Sequence, residues 1–266
     1  MIAAMSQPPA EVVNDVMDPA RLAALAATLG LPLPDRVPPF WHWAYFWDAR
    51  PPEALGRDGH PATGDGLIPD LGLPRRMWAG GALEAVGDLC PGRPATRISR
   101  RLSAERKTGR SGALGLVALE HVVEQGGRTV LRERQDLVYR AAPEAPPNGR
   151  PAPAPPQAGR APVEEVRAFD PVTLFRFSAL TFNGHRIHYD RDHARAVEGH
   201  RGLVVHGPLL ALLLADLAAR HGRGRSIRYR ATAPLIEGET AAFCLDGPRA
   251  WVRGPDGRLC MEAEVA

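Results

Sequence analysis

From residue 208 to residue 219 nearly every position is Leu or Ala, and Asp216 is the only charge. A segment that is apolar on almost all faces predicts a buried helix rather than an amphipathic surface one. Pro208 suits its first turn, where the amide it lacks would have no intrahelical partner. A surface helix is predicted over residues 18–29, with Asp18 as N-cap, Pro19 in the first turn and Gly30 to end it. Residues 95–102, 114–123 and 129–139 read as strands, the last two joined by the turn 124–127. Further strands are predicted at 225–231, 240–246, 250–253 and 258–265, with Gly254-Pro255-Asp256-Gly257 as a hairpin turn. A long apolar helix followed by antiparallel strands implies a sheet that wraps the helix to bury it.

Three stretches break these patterns. Three of the five Trp lie within residues 41–47, in Trp-His-Trp-Ala-Tyr-Phe-Trp. That cluster suits a core helix or a seam between domains, with the wall of a ligand tunnel as the alternative. Residues 48–76 are rich in Gly and Pro and read as an irregular cover. Residues 141–162 are of Pro-Ala-Pro-Ala-Pro-Pro type, without an apolar period, so they predict an extended or disordered linker. The chain therefore divides into 1–140, a linker at 141–163, and 164–266. Lys107-Thr108-Gly109-Arg110-Ser111-Gly112 lacks the spacing of a phosphate-binding loop and reads as a basic hairpin turn, or as a contact for an anionic ligand tail.

Composition narrows the function. With 266 residues, 44% of them hydrophobic, the chain can build real cores in one large domain or two. A formal charge of +3, with no basic block interleaved with aromatics, argues against nucleic-acid binding. Cys90, Cys244 and Cys260 are odd in number and scattered, which fits a reducing cytoplasm better than a disulfide scaffold. The first residues lack the basic start and long apolar core of a signal peptide. The apolar run 209–217 is too short to span a bilayer, so no membrane association is expected.

The chemistry concentrates in residues 175–220. Thr181-Phe182-Asn183-Gly184-His185-Arg186-Ile187-His188-Tyr189-Asp190 is dense in proton-transfer groups, and His206-Gly207-Pro208 opens the apolar helix beside it. This arrangement resembles the hot-dog fold of the MaoC-like enoyl-thioester hydratases and dehydratases. Their signature is Ser/Thr-Gly-Asp-x-Asn-Pro-x-His, followed later by His-Gly at the start of the central helix. His188 keeps the place of the final His; Asn183 stands where the family has its catalytic Asp, and His185 where it has Asn. The variant is closer to the branch of mesaconyl- and itaconyl-CoA hydratases and type 2 hydroxyacyl-thioester dehydratases. In bacterial members a degenerate first hot-dog half precedes the catalytic one, and Trp41–Phe46 and Gln135–Arg140 resemble that arrangement. The resemblance implies an α+β double hot-dog, two antiparallel sheets each wrapping a central helix. It also implies a hydro-lyase acting on an acyl-CoA without a cofactor, the carrier being CoA or acyl carrier protein, and a homodimer.

The residues fit such chemistry. Adding water across a double bond conjugated to a thioester needs a proton acceptor, donors for the growing enolate charge, and a proton for the alpha carbon. With a reference pKa of about 6.5, His188 is a natural acid/base. Asn183 can hold a water but cannot take its proton, and His185 either orients the loop or shares the chemistry. The free amide of Gly207 suits the enolate oxygen, since aimed backbone donors need no reorganisation. His206 and Tyr189 complete the expected oxyanion and substrate-binding set, His206 orienting the site and Tyr189, with Asp190, supporting the next helix. Two other readings stay open: a metal site from His185, His188, Asp190, Asp192 and His193, and a hot-dog domain that only binds acyl thioesters. The first half is expected to lack a comparable catalytic Asn/His/His cluster and to supply a wall of the acyl pocket.

Overall fold

The computed structural model describes residues 8–109, 112–141 and 154–266. The first half runs β1 (Glu11–Val16), α1 (Pro19–Leu29), β2 (Arg75–Ala85), β3 (Pro94–Gly109), β4 (Gly112–Gln125) and β5 (Arg128–Arg140). The second runs β6 (Val163–Ala168), α2 (Pro171–Thr181), α3 (Arg191–Ala196), α4 (Gly207–Arg220), β7 (Ser226–Ala231), β8 (Thr240–Asp246), β9 (Arg249–Arg253) and β10 (Leu259–Val265). All ten strands join one sheet in the order β1-β3-β4-β5-β2-β7-β10-β9-β8-β6. Read inward from either edge, the two halves have the same strand order. The seam is the antiparallel pair β2–β7, Gly80 to Glu84 against Arg230 to Ser226. Gly80 permits that pairing: a Cβ there would lie 2.6 Å from the carbonyl oxygen of Tyr229.

The double hot-dog expected from the sequence is therefore present, its two sheets hydrogen-bonded edge to edge. Its long central helix belongs to the second half. Six leucines of α4 (209, 210, 212, 213, 214 and 217) are at most 3% exposed, each contributing roughly 1.5–3 kcal/mol by leaving water. They pack against β7 to β10. Between α1 and β2 the described residues hold only two short 3-10 turns, Trp41–Ala44 and Pro52–Ala54.

The two shorter helices are counterparts. Each follows an edge strand and opens with Asp-Pro: Asp18 Oδ1 accepts from Ala20 N at 2.8 Å, and Asp170 Oδ1 from Thr173 N at 2.7 Å. Gly30 ends α1 in the left-handed conformation, as predicted. The surface helix predicted there is amphipathic: α1 packs on α2 through Leu22, Leu25, Ala26 and Leu29 and leaves Ala20, Ala23 and Ala27 exposed.

The aromatic stretch serves both roles read for it. Phe40, Trp41, Tyr45 and Phe46 are core residues at 2% exposure or less, while Trp43, Tyr45, Phe46 and Trp47 line the main cavity. Residues 48–74 form the irregular cover. Of the linker, residues 142–153 lie outside the described residues. The stretch just after them is extended along the second half, where Leu259 N donates to Pro156 O at 2.7 Å and Ala158 N to Gly257 O at 2.8 Å. Residues 110 and 111 of the basic turn also lie outside the described residues, between the paired Gly109 and Gly112. Among the described residues no helix is long and apolar enough to cross a membrane.

Candidate active site

A cavity of about 970 Å³ lies between the halves, walled by the cover, the aromatic stretch, β2 to β5, the loop after α2 and the start of α4. Asn183, His185, His188 and Gly207 all line it. The αL residue Phe182 turns the chain out of α2, and Asn183 Oδ1 then accepts from His185 N at 3.0 Å. That bond shapes the loop and leaves the amide nitrogen of Asn183 free of a role there. Ring nitrogen Nδ1 of His188 is 2.7 Å from the Val204 carbonyl oxygen. A carbonyl only accepts, so Nδ1 carries the hydrogen and Nε2 keeps the lone pair.

Four imidazoles stand in a row. His60 of the cover is 4.9 Å from His185 between centroids, His185 is 5.4 Å from His188, and His188 stacks on His206 at 3.6 Å. Burial pushes His188 down to about 4, although the Val204 carbonyl opposes it. Burial also pushes His60, His185 and His206 well below the ordinary imidazole range. All four are neutral near pH 7, which makes His188 a base in its resting state. His206 is fully buried, with Nε2 2.8 Å from Ser178 Oγ.

Gly207 begins α4, and its amide donates to no described residue. Helix amides of the first turn lack intrahelical acceptors and carry the positive end of the dipole. A Cβ on Gly207 would lie 2.7 Å from the Trp78 ring, so glycine is what lets this turn approach the seam.

Two residues expected to bind substrate are placed elsewhere. Tyr189 is outside the cavity wall, 46% exposed, its hydroxyl donating to Gly184 O at 2.9 Å. His206 sits behind His188, away from the cavity surface, in the orienting position. The spacing that suggested metal ligands is spent on local structure: Asp190 caps α3 through His193 N at 2.9 Å and pairs with Arg186 at 2.7 Å.

Sequence reading missed His60. It reaches the site because Gly59 and Gly184 meet backbone to backbone; a Cβ on either would run into the other's carbonyl oxygen. Arg186 N also donates to Asp58 O at 2.8 Å. The only local hint was a lone His in an irregular segment. Sequence reading also missed a polar network in the first half, different in kind from the Asn/His/His cluster it was expected to lack. Glu133 Oε2 is 2.9 Å from His42 Nε2, Trp43 Nε1 donates to Glu133 at 3.1 Å, and His121 Nδ1 is 2.8 Å from Ser99 Oγ. Burial is the largest single influence and raises the Glu133 carboxyl, but the bond and charge of His42, with His121 and Gln135, together outweigh it and hold the group at about 2. Strand alternation alone does not show that these residues share one concave face.

The fold and this site together define a class: hydro-lyases of the hot-dog type that add water to, or remove it from, acyl thioesters. The sequence model of the hydroxyacyl-thioester dehydratase type 2 family matches residues 40–237, and the chain belongs to that family. It is 42% identical to the mesaconyl-C(4)-CoA hydratase of Chloroflexus aurantiacus, with 96% of this chain and 94% of that protein covered. The crystal structure of HtdX of Mycobacterium tuberculosis superposes with a TM-score of 0.68 at 20% identity, covering 96% of this chain and 99% of the other. A second M. tuberculosis protein, described as having a double hot-dog fold, matches with a TM-score of 0.57 at 15% identity over 98% and 96% of the two chains.

Proposed function

We propose that the chain reversibly hydrates a small, branched dicarboxylic enoyl-CoA, mesaconyl-CoA ahead of itaconyl-CoA, with His188 as the acid/base. The observation that carries this reading is the anchored tautomer of His188 in a cavity that Gly207 also lines. Nε2 takes a proton from water as the water oxygen bonds to the beta carbon. The electron pair of the double bond moves through the alpha carbon onto the thioester oxygen, which the Gly207 amide stabilises. The imidazolium then returns a proton to the alpha carbon, so the product is the substrate plus one water. Asn183 positions the water, His185 holds the loop, and His206 fixes the ring of His188 from behind. These steps need no cofactor, because every charge that develops has a partner in the protein.

Support for the substrate comes from the relative that hydrates mesaconyl-C(4)-CoA and from exposed Arg140 on the cavity wall, which suits a phosphate of CoA. Three unpaired cysteines fit a reducing cytoplasm. The family name fits the reverse direction, dehydration of a 3-hydroxyacyl thioester, which the same groups perform by microscopic reversibility. The test follows enoyl absorbance with mesaconyl-, itaconyl- and crotonyl-CoA, and the reverse reaction with long 3-hydroxyacyl thioesters on CoA and on acyl carrier protein. Mesaconyl-CoA is expected to give the highest kcat/KM. A long-chain substrate outrunning it would overturn the proposal.

A further inference from the structure

The far wall of the cavity, inside the first half, is polar. Arg97 and Ser99 of β3, His121 of β4 and Gln135 of β5 all line it. Among the described residues Arg97 forms no ion pair, and its buried Nε has no hydrogen-bond partner. The guanidinium lies 5.7 Å from the centroid of the Phe46 ring, with only longer-range attraction to Glu133, Asp48 and Glu11. Glu133 itself is engaged by His42, Trp43 and Gln135. Other arginines of the wall differ: Arg75 pairs with Glu198 at 2.8 Å and Arg50 with Asp48 at 2.5 Å. Arg76 has no ion pair either, but its side-chain nitrogens are not among the buried atoms left without partners. A half-buried cation whose Nε lacks an acceptor gains from an arriving anion, and a plain alkyl tail offers none.

We infer that Arg97, with Ser99, His121 and Gln135 around it, receives the free carboxylate of the acyl group and so selects dicarboxylic over unsubstituted enoyl thioesters. This deepens the substrate reading above and rests on it. A guanidinium offers paired donors that match a carboxylate. An acyl group lacking the carboxylate leaves those donors buried and unpaired, which is how a polar pocket rejects an analogue.

The experiment compares mesaconyl-, glutaconyl- and crotonyl-CoA on wild type, Arg97→Gln, Arg97→Lys and Arg76→Gln. Arg97→Gln is expected to lower the kcat/KM ratio of carboxylated to plain substrate about 10–100-fold, the value of a charged hydrogen bond. Crotonyl-CoA turnover should be retained, and Arg97→Lys should recover part of the ratio. The melting temperature of unliganded Arg97→Gln should equal or exceed that of wild type, because an unpaired buried charge is removed; a marked fall would assign Arg97 a structural role and overturn the inference. An equal loss on crotonyl-CoA would move Arg97 to the CoA moiety, and loss of the ratio in Arg76→Gln instead would move the carboxylate there; either refutes the assignment. A wild type that prefers mesaconyl-CoA with the ratio unchanged in Arg97→Gln refutes the inference alone. Turnover of glutaconyl- but not mesaconyl-CoA, lost in Arg97→Gln, refutes the substrate and keeps the carboxylate site. A wild type without preference for carboxylated substrates refutes both.

Discussion

The two halves share a strand order and an Asp-Pro helix, yet only the second keeps a long buried helix. In the second half, α4 fills the sheet with leucine and ends its N-terminus at the reaction site. In the first, the corresponding space is held by an aromatic turn, an irregular cover and open volume, and the concave face carries Arg97, His121 and Glu133 beside a smaller apolar cluster built on Leu67, Leu71, Leu73, Leu119 and Leu137. The lesson is a division of labour. A sheet without its helix must satisfy its inner face by other means, and aromatic rings plus paired polar groups leave room for a ligand. The half that keeps its helix supplies the fixed amide and the histidine beside it.

The sharpest way to test this division is to remove an imidazole from each half. His188→Ala should lower kcat roughly 10²–10⁴-fold with folding intact, whereas His121→Ala should leave kcat for crotonyl-CoA within about tenfold. Equal losses by steady-state kinetics would erase the distinction. The polar substitute for a core can be broken directly. Glu133→Ala leaves His42 and Trp43 without their acceptor and should destabilise by about 3–5 kcal/mol in denaturant unfolding. Leu213→Ala in α4 should cost about 2–5 kcal/mol by opening a cavity. Little change in Glu133→Ala would mean the first half is held by its aromatic and aliphatic contacts without the polar network.

A subtler comparison uses Asn183. Asn183→Asp places a carboxylate beside His188, which favours the imidazolium and raises its pKa from about 4. Hydration needs neutral His188, so the acid limb of kcat/KM should move to higher pH. Asn183→Ala should lower the rate without moving the limb, since an amide does not titrate. The smallest effect is shared by both halves. His121 and His188 are both lowered by burial to about 4 from 6.5. The unfolded chain then binds more protons between those values, so stability is complete above about pH 6.5 and declines as pH falls toward about 4. Thermal melts of His121→Phe should show a shallower decline than wild type over that window. An unchanged slope would show that His121 is solvated.

Much of this was legible in the chain. Asp18, Pro19 and Gly30 state where α1 begins and ends, the Leu/Ala run states that α4 is buried, and eight consecutive residues hold Asn183, His185 and His188. Each of these is a short-range signal, written within a turn or two of helix or one loop. The resemblance those residues carry also led to the double hot-dog. Strand β1 went unread, because Glu-Val-Val-Asn-Asp-Val does not alternate apolar and polar positions and lies between Pro8-Pro9 and Pro19. What only tertiary structure decided depends on contacts between distant segments. The β2–β7 seam makes one sheet of two, α2 supplies the surface that the apolar face of α1 covers, and the Gly59–Gly184 approach carries His60 to His185. Arg97 was one of many arginines until packing half-buried it at the cavity wall and left its Nε without a partner. Burial and pairing belong to the closed chain, and no local pattern of residues specifies them.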